Sequence, residues 1–61
     1  MGHRLREARG RARLTQAELA ARSGVSQAEI SMAERGERRP SPPVVEKLAR
    51  ALGVSAQSLY E

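Results

Sequence analysis

This chain has few side chains with which to do covalent chemistry. Its 61 residues hold one histidine, His3, and no cysteine or aspartate. All seven acidic residues are glutamates, and helix caps and helix faces account for those inside the expected helices. No glycine-rich phosphate loop and no metal-ligand spacing is present, so neither an acid–base pair nor an activated nucleophile can be assembled. Catalysis, a bound metal and an organic cofactor are therefore not expected. His3, beside Met1 and Gly2, reads as part of a frayed end. What remains is hydrogen bonding and charge. The amides of Gln16 and Gln27 donate and accept at once, and that of Gln27 can bond adenine N6 and N7 together. Ser31 adds a hydroxyl, while Ala28 and Met32 offer only apolar contact, as to a thymine methyl. Net charge is +4 with a pI near 11.1, which suits a polyanionic partner.

The elements that must position these groups lie between Thr15 and Gly36. Thr15 stands three residues before Glu18 and Ser26 three before Glu29, the spacing of two capping boxes. Leu14 and Leu19 flank the first, Val25 and Ile30 the second, as hydrophobic staples. Ser23-Gly24-Val25 supplies the bend, with Gly24 free to adopt positive φ. Two helices locked by a short glycine turn form a helix-turn-helix. Periodicity places helices at about 4–12, 16–23, 27–35, 42–52 and 56–60. In the third, Ile30 and Ala33 share the core side, and Gln27, Ala28, Ser31, Met32 and Arg35 share the opposite arc.

The flanks follow the same rules. Leu5, Ala8 and Ala12 keep helical phase, which favours a helix over a loose basic tail for ARGRAR. Gly36 ends the third helix. Ser41 with Pro42 starts the fourth, whose stripe is Val45, Leu48, Ala49 and Leu52. Gly53 closes it, Ser55 caps the last segment, and Val54 with Leu59 forms a third staple. One domain, 1–61, accounts for the chain. No stretch is apolar enough to span a membrane, and a cytoplasmic location is the default expectation. Five arginines lie between Met1 and Leu14 against one glutamate, whereas Thr15–Gly36 has two arginines against three glutamates. The helix-turn-helix itself is not basic.

LTQAELA, GVSQAEIS, ERG and KLARALGVS closely resemble the Cro and phage-repressor family of DNA-binding domains (lambda-repressor-like, XRE-type). The resemblance covers about Leu5 to Tyr60. It implies a compact five-helix, all-α domain of a bacterial or phage transcriptional regulator, with double-stranded DNA as partner. It further implies a homodimer joined through the C-terminal helix, Gln57 to Tyr60, on an inverted-repeat operator, and a fused effector domain beyond the DNA-binding part. Carried over to this chain, Gln27, Ala28, Ser31 and Met32 meet bases. Gln16, Arg9, Arg35, Arg38 and Arg39 meet phosphates, and Gln16 also bonds Gln27. Arg9 and Glu34 match an ion pair linking the first helix to the third. Two positions depart from the family pattern. Arg13 stands where glycine is usual, implying strain or a different cap, and Ala33 stands where a bulky apolar residue is usual, implying a thinner core or neighbours that move in. The competing reading is a protein-interaction module or antitoxin-type adaptor on the same fold, since fold does not fix function.

Overall fold

Serine and threonine caps divide the chain into four α-helices and a closing 3-10 turn: α1 (Gly2–Arg11), α2 (Gln16–Ser23), α3 (Gln27–Glu34), α4 (Pro42–Leu52) and Ala56–Leu59. The structure, a computed structural model, describes residues 1–60. α2 packs on α3 and α4, α1 on α3, and the closing turn bridges α4 and α1. Leu5, Leu19, Ile30, Ala33, Val45, Leu48 and Leu59 are fully shielded at their meeting point, with Leu14, Val25 and Ala49 at its rim. Burial of these side chains, at ~1.5–3 kcal/mol for each large one, is the main favourable term.

The caps differ in how completely they form. Thr15 Oγ1 accepts from Glu18 N–H at 3.0 Å and Glu18 Oε1 accepts from Thr15 N–H at 2.8 Å, a complete box. Ser26 accepts from Glu29 N–H at 3.1 Å, but Glu29 does not return the bond, so the second box is half made. Ser41 has the backbone of a cap and no capping hydrogen bond. The cause lies in Pro42 and Pro43: with no N–H on either, Val44 carries the first available donor, and it bonds Ser41 O at 2.9 Å.

The expected fifth helix is one 3-10 turn. Ser58 Oγ donates to Ser55 O at 2.7 Å, and Ser58 N–H donates to the same carbonyl at 3.1 Å. That oxygen is saturated by i→i+3 bonds, and the chain is extended again at Tyr60 (φ −82°, ψ 141°). Leu59 reaches the core, whereas Val54 stays 37% exposed. Leu52 is only half buried.

α1 starts earlier than expected. Met1 is half buried and Gly2 buried, so His3 lies in an ordered first turn, 3.6 Å from Glu7. A Cβ on Gly2 would stand 2.5 Å from Glu34 O and 2.8 Å from Ala33 O. The small pair Gly2 and Ala33 thus lets the start of α1 close on the end of α3. Ala33 itself is fully buried.

Arg13 meets the glycine question directly, with φ +58°. Arg13 N–H donates to Gly10 O at 3.0 Å and Leu14 N–H to Arg9 O at 3.2 Å, a Schellman ending. The same ending closes α3 through Gly36 and α4 through Gly53, where the left-handed residue has no Cβ. Arg13→Gly should therefore stabilise the fold by roughly 1 kcal/mol, the left-handed penalty less the added unfolded-chain entropy. Thermal unfolding should shift upward by about 4–8 °C; a lower midpoint would show that the Arg13 side chain stabilises the corner more than its backbone strains it.

Candidate nucleic-acid interface

The outward surface of α3 is set by what the helix buries. Ile30 and Ala33 are fully covered. On the other arc Gln27 and Ala28 are exposed, Ser31 and Met32 half buried, and Arg35 exposed just past the helix end. The first turn of α3 therefore presents one amide and one methyl with nothing over them. Gln27 has no side-chain hydrogen-bond partner among the described residues.

The base of this surface is polar and shielded. Glu34, at the last turn of α3, has a side chain only 5% exposed. Arg9 Nε donates to its Oε2 at 2.6 Å and Arg9 Nη2 to its Oε1 at 2.9 Å, a fork against a carboxylate. Arg9 Nη1 donates to Leu14 O at 2.9 Å, tying the same guanidinium to the corner before α2. Burial pushes the Glu34 carboxyl up, but hydrogen bonds from Arg9 and Gln16 and the charges of Arg9 and Arg6 together hold it below its ordinary value. Arg9 is raised by its bond to Glu34 against the opposing effect of burial.

Two expected polar groups can be placed here. Gln16 Nε2 donates to Glu34 Oε1 at 3.2 Å, and no bond joins Gln16 to Gln27. A shielded carboxylate attracts an amide N–H more strongly than a neutral, exposed amide does. Arg9, expected both to pair with Glu34 and to meet a phosphate, directs three N–H groups inward. Its place in this structure is the ion pair.

Beyond α3 the cations divide. Arg35 Nε and Nη2 donate to the two carboxylate oxygens of Glu37 at 3.0 and 3.1 Å, and Nη1 donates to Ser31 Oγ at 2.7 Å. The pairing raises the Arg35 pKa and lowers that of Glu37, first through their hydrogen bonds and then through their charges. Arg38 and Arg39 are exposed and without partners among the described residues. Glu37 was not among the expected site residues. Its two-residue spacing from Arg35 is not a helix-face spacing, and only the left-handed turn at Gly36 brings the two together. No group of three or more potential metal-ligating side chains occurs among the described residues.

A family model described as helix-turn-helix matches residues 5–59. An uncharacterised HTH-type transcriptional regulator of Mycobacterium tuberculosis is 46% identical over 59 residues, covering 97% of this chain and 42% of its own. One from Sinorhizobium fredii is 52% identical over 52 residues, covering 85% of this chain and 64% of its own. The chain thus spans less than half the length of the mycobacterial relative. Among solved structures, the restriction-modification controller protein C.AhdI of Aeromonas hydrophila superposes with a TM-score of 0.92 at 39% identity, covering 97% of this chain and 89% of that one.

The ion pair yields a stability test. Arg9→Met leaves the Glu34 carboxylate shielded and short of partners, and should cost roughly 3 kcal/mol. Arg9→Met with Glu34→Leu should recover much of that loss, because no charge is then left without its counterpart. Acid should act in the same sense. Glu34 is lowered in the folded state, so its stabilisation is complete above the ordinary carboxylate value and is lost as pH falls through the depressed one. Urea unfolding of both variants, repeated from neutral to acidic pH, measures this; an Arg9→Met protein as stable as wild type would show the pair to be idle.

Proposed function

The chain belongs to the helix-turn-helix family, and we propose that it is the sequence-specific DNA-binding domain of a transcriptional regulator, reading the major groove with α3. The observation that carries this reading is the exposed first turn of α3, Gln27 and Ala28, backed by the fully buried Ile30 and Ala33. An α-helix fits the major groove, and helix-turn-helix proteins meet base edges with the start of their second helix. Gln27 is the adenine reader. Ala28 and Met32 supply apolar contact, and Ser31 a hydroxyl. The relatives' names as transcriptional regulators support the same role.

Phosphate contacts fall to groups that flank this helix. Gln16 opens α2, whose free N–H groups and positive dipole end favour an anion, and its amide is already steered by Glu34. Arg38 and Arg39 follow the reading helix directly, and Arg35 joins them once its carboxylate partner yields. Arg9 acts through Glu34 as a positioning residue. The domain binds as a homodimer on an inverted repeat, with two α3 helices about one turn of duplex apart. The self-association surface is the C-terminal segment, Gln57 to Tyr60, where Tyr60 is 39% exposed. No helix among the described residues is long and apolar enough to cross a membrane.

Gln27 separates this function from a protein-binding one. Gln27→Ala should lose ~1–3 kcal/mol on a duplex selected from a random pool and become indifferent at one adenine–thymine pair per half-site. Affinity for unrelated duplexes should barely change, since phosphates supply it. Titration of both proteins against the selected site and its single-pair variants measures this. Equal discrimination by the two proteins removes Gln27 as the reader; equal, weak binding of every duplex by wild type removes sequence-specific recognition altogether.

A further inference from the structure

We infer that Glu37 is an internal competitor of the duplex for Arg35: its carboxylate occupies the guanidinium edge that a phosphate takes, and so weakens DNA binding on every sequence. The inference rests on the DNA reading above and assigns a role to a residue that reading does not use. Arg35 is held from two sides. Its Nε and Nη2, the paired donors of one edge, meet the two oxygens of Glu37 at 3.0 and 3.1 Å. Its Nη1 meets Ser31 Oγ at 2.7 Å, which lays the guanidinium back along the outward arc of α3.

The backbone fixes the competitor in place. Gly36 N–H donates to Ala33 O at 3.1 Å and Glu37 N–H to Met32 O at 2.9 Å, so residue 37 is turned back over the helix end. A carboxylate and a phosphate present the same pair of oxygens to a guanidinium fork. One edge cannot hold both. Arg35 therefore differs from Arg38 and Arg39, which have no partner to give up among the described residues. The exchange is open to the duplex because the pair lies at the surface, with the two side chains 56% and 57% exposed. An ion pair in that setting is weak and screened by salt, which makes it a modulator of affinity and not a block.

The test is a double-mutant cycle read by DNA affinity. Wild type, Glu37→Gln, Glu37→Ala, Arg35→Ala and the Arg35→Ala/Glu37→Gln double variant are titrated against a duplex selected by wild type and against its scrambled counterpart, at low and high salt. Both Glu37 variants should bind both duplexes about two- to fivefold more tightly at low salt, the range an exposed ion pair commands, with a smaller gain at high salt. The double variant should bind like Arg35→Ala alone. Melting midpoints should match wild type, since neither side chain enters the core. Unchanged or weaker binding by the Glu37 variants overturns the inference. A gain that persists without Arg35 also overturns it, because that result belongs to a carboxylate repelling phosphates at a distance. A gain confined to the selected duplex overturns it too, since competition for a phosphate acts on every sequence. Failure of wild type to bind either duplex removes the proposed function itself, and this inference with it.

Discussion

The pair between Arg9 and Glu34 is the contact on which the placement of α3 depends. Glu34 stands in the last turn of its helix, where unpaired carbonyls make the local potential negative, and it is shielded from water as well. Neither condition suits a carboxylate. It remains charged because two Arg9 N–H groups and the Gln16 amide all point at it. Those donors come from α1 and α2, and the Arg9 Nη1 bond to Leu14 O adds the corner between them. A displacement of any one of the three helices therefore leaves a shielded charge short of partners. Such a pair adds little to stability beyond what an apolar pair of similar volume gives. Its contribution is direction.

The hydrophobic core supplies the complementary half. Leu19, Ile30 and Leu48 bury their whole surface, and that burial is insensitive to small rotations of a helix about its own axis. A rotation of α3 too small to expose Ile30 would nevertheless re-aim Gln27 on the outward arc. The polar fork at Glu34 opposes that rotation, and the close approach of Gly2 to the carbonyls of Ala33 and Glu34 opposes a shift at the same end. The start of α3 is held by Ser26 and by Val25 at the rim of the core. Both ends of an eight-residue helix are thus fixed while its outer arc stays open.

Local rules made most of this fold legible in the sequence, and competition between alternative hydrogen-bond partners hid much of the remainder. Caps, staples and the positive-φ glycines act within four or five residues, so Thr15, Gly24, Gly36 and Gly53 could be placed from spacing alone. Arg13 stood out only through the family resemblance, in which glycine is usual at that corner, and its φ is left-handed. The failures share a different cause. Ser41 lost its capping bond to two adjacent prolines, and the last segment became a 3-10 turn because Ser58 took the Ser55 carbonyl twice over. Gln16 had two acceptors within reach, and only the folded chain reveals that Glu34 is the shielded one. Helix phase exposed the outward arc of α3. The partner of Arg35 lies beyond a left-handed residue, where helical phase no longer applies.

The charge of the chain is also distributed in a way its total conceals. Of the ten arginines, Arg9 faces inward and Arg35 is bridged by Glu37. Arg22, Lys47 and Arg50 line a groove between the far end of α2 and α4, away from the Gln16 end. Among the described residues, the cations next to α3 and free of partners are Arg38 and Arg39. A net charge of +4 can draw the domain toward a polyanion from a distance, but close contact on the proposed reading depends on a few groups. Length then separates their tasks. At ~1.5 Å per residue, α3 is about 12 Å long, near the width of the major groove. Its first turn can lie against base edges while the loop after its last turn reaches the groove wall. On the proposed reading, recognition falls at one end of the helix and backbone grip at the other, so that a change in Arg38 or Glu37 would alter affinity without touching the residues that choose the sequence.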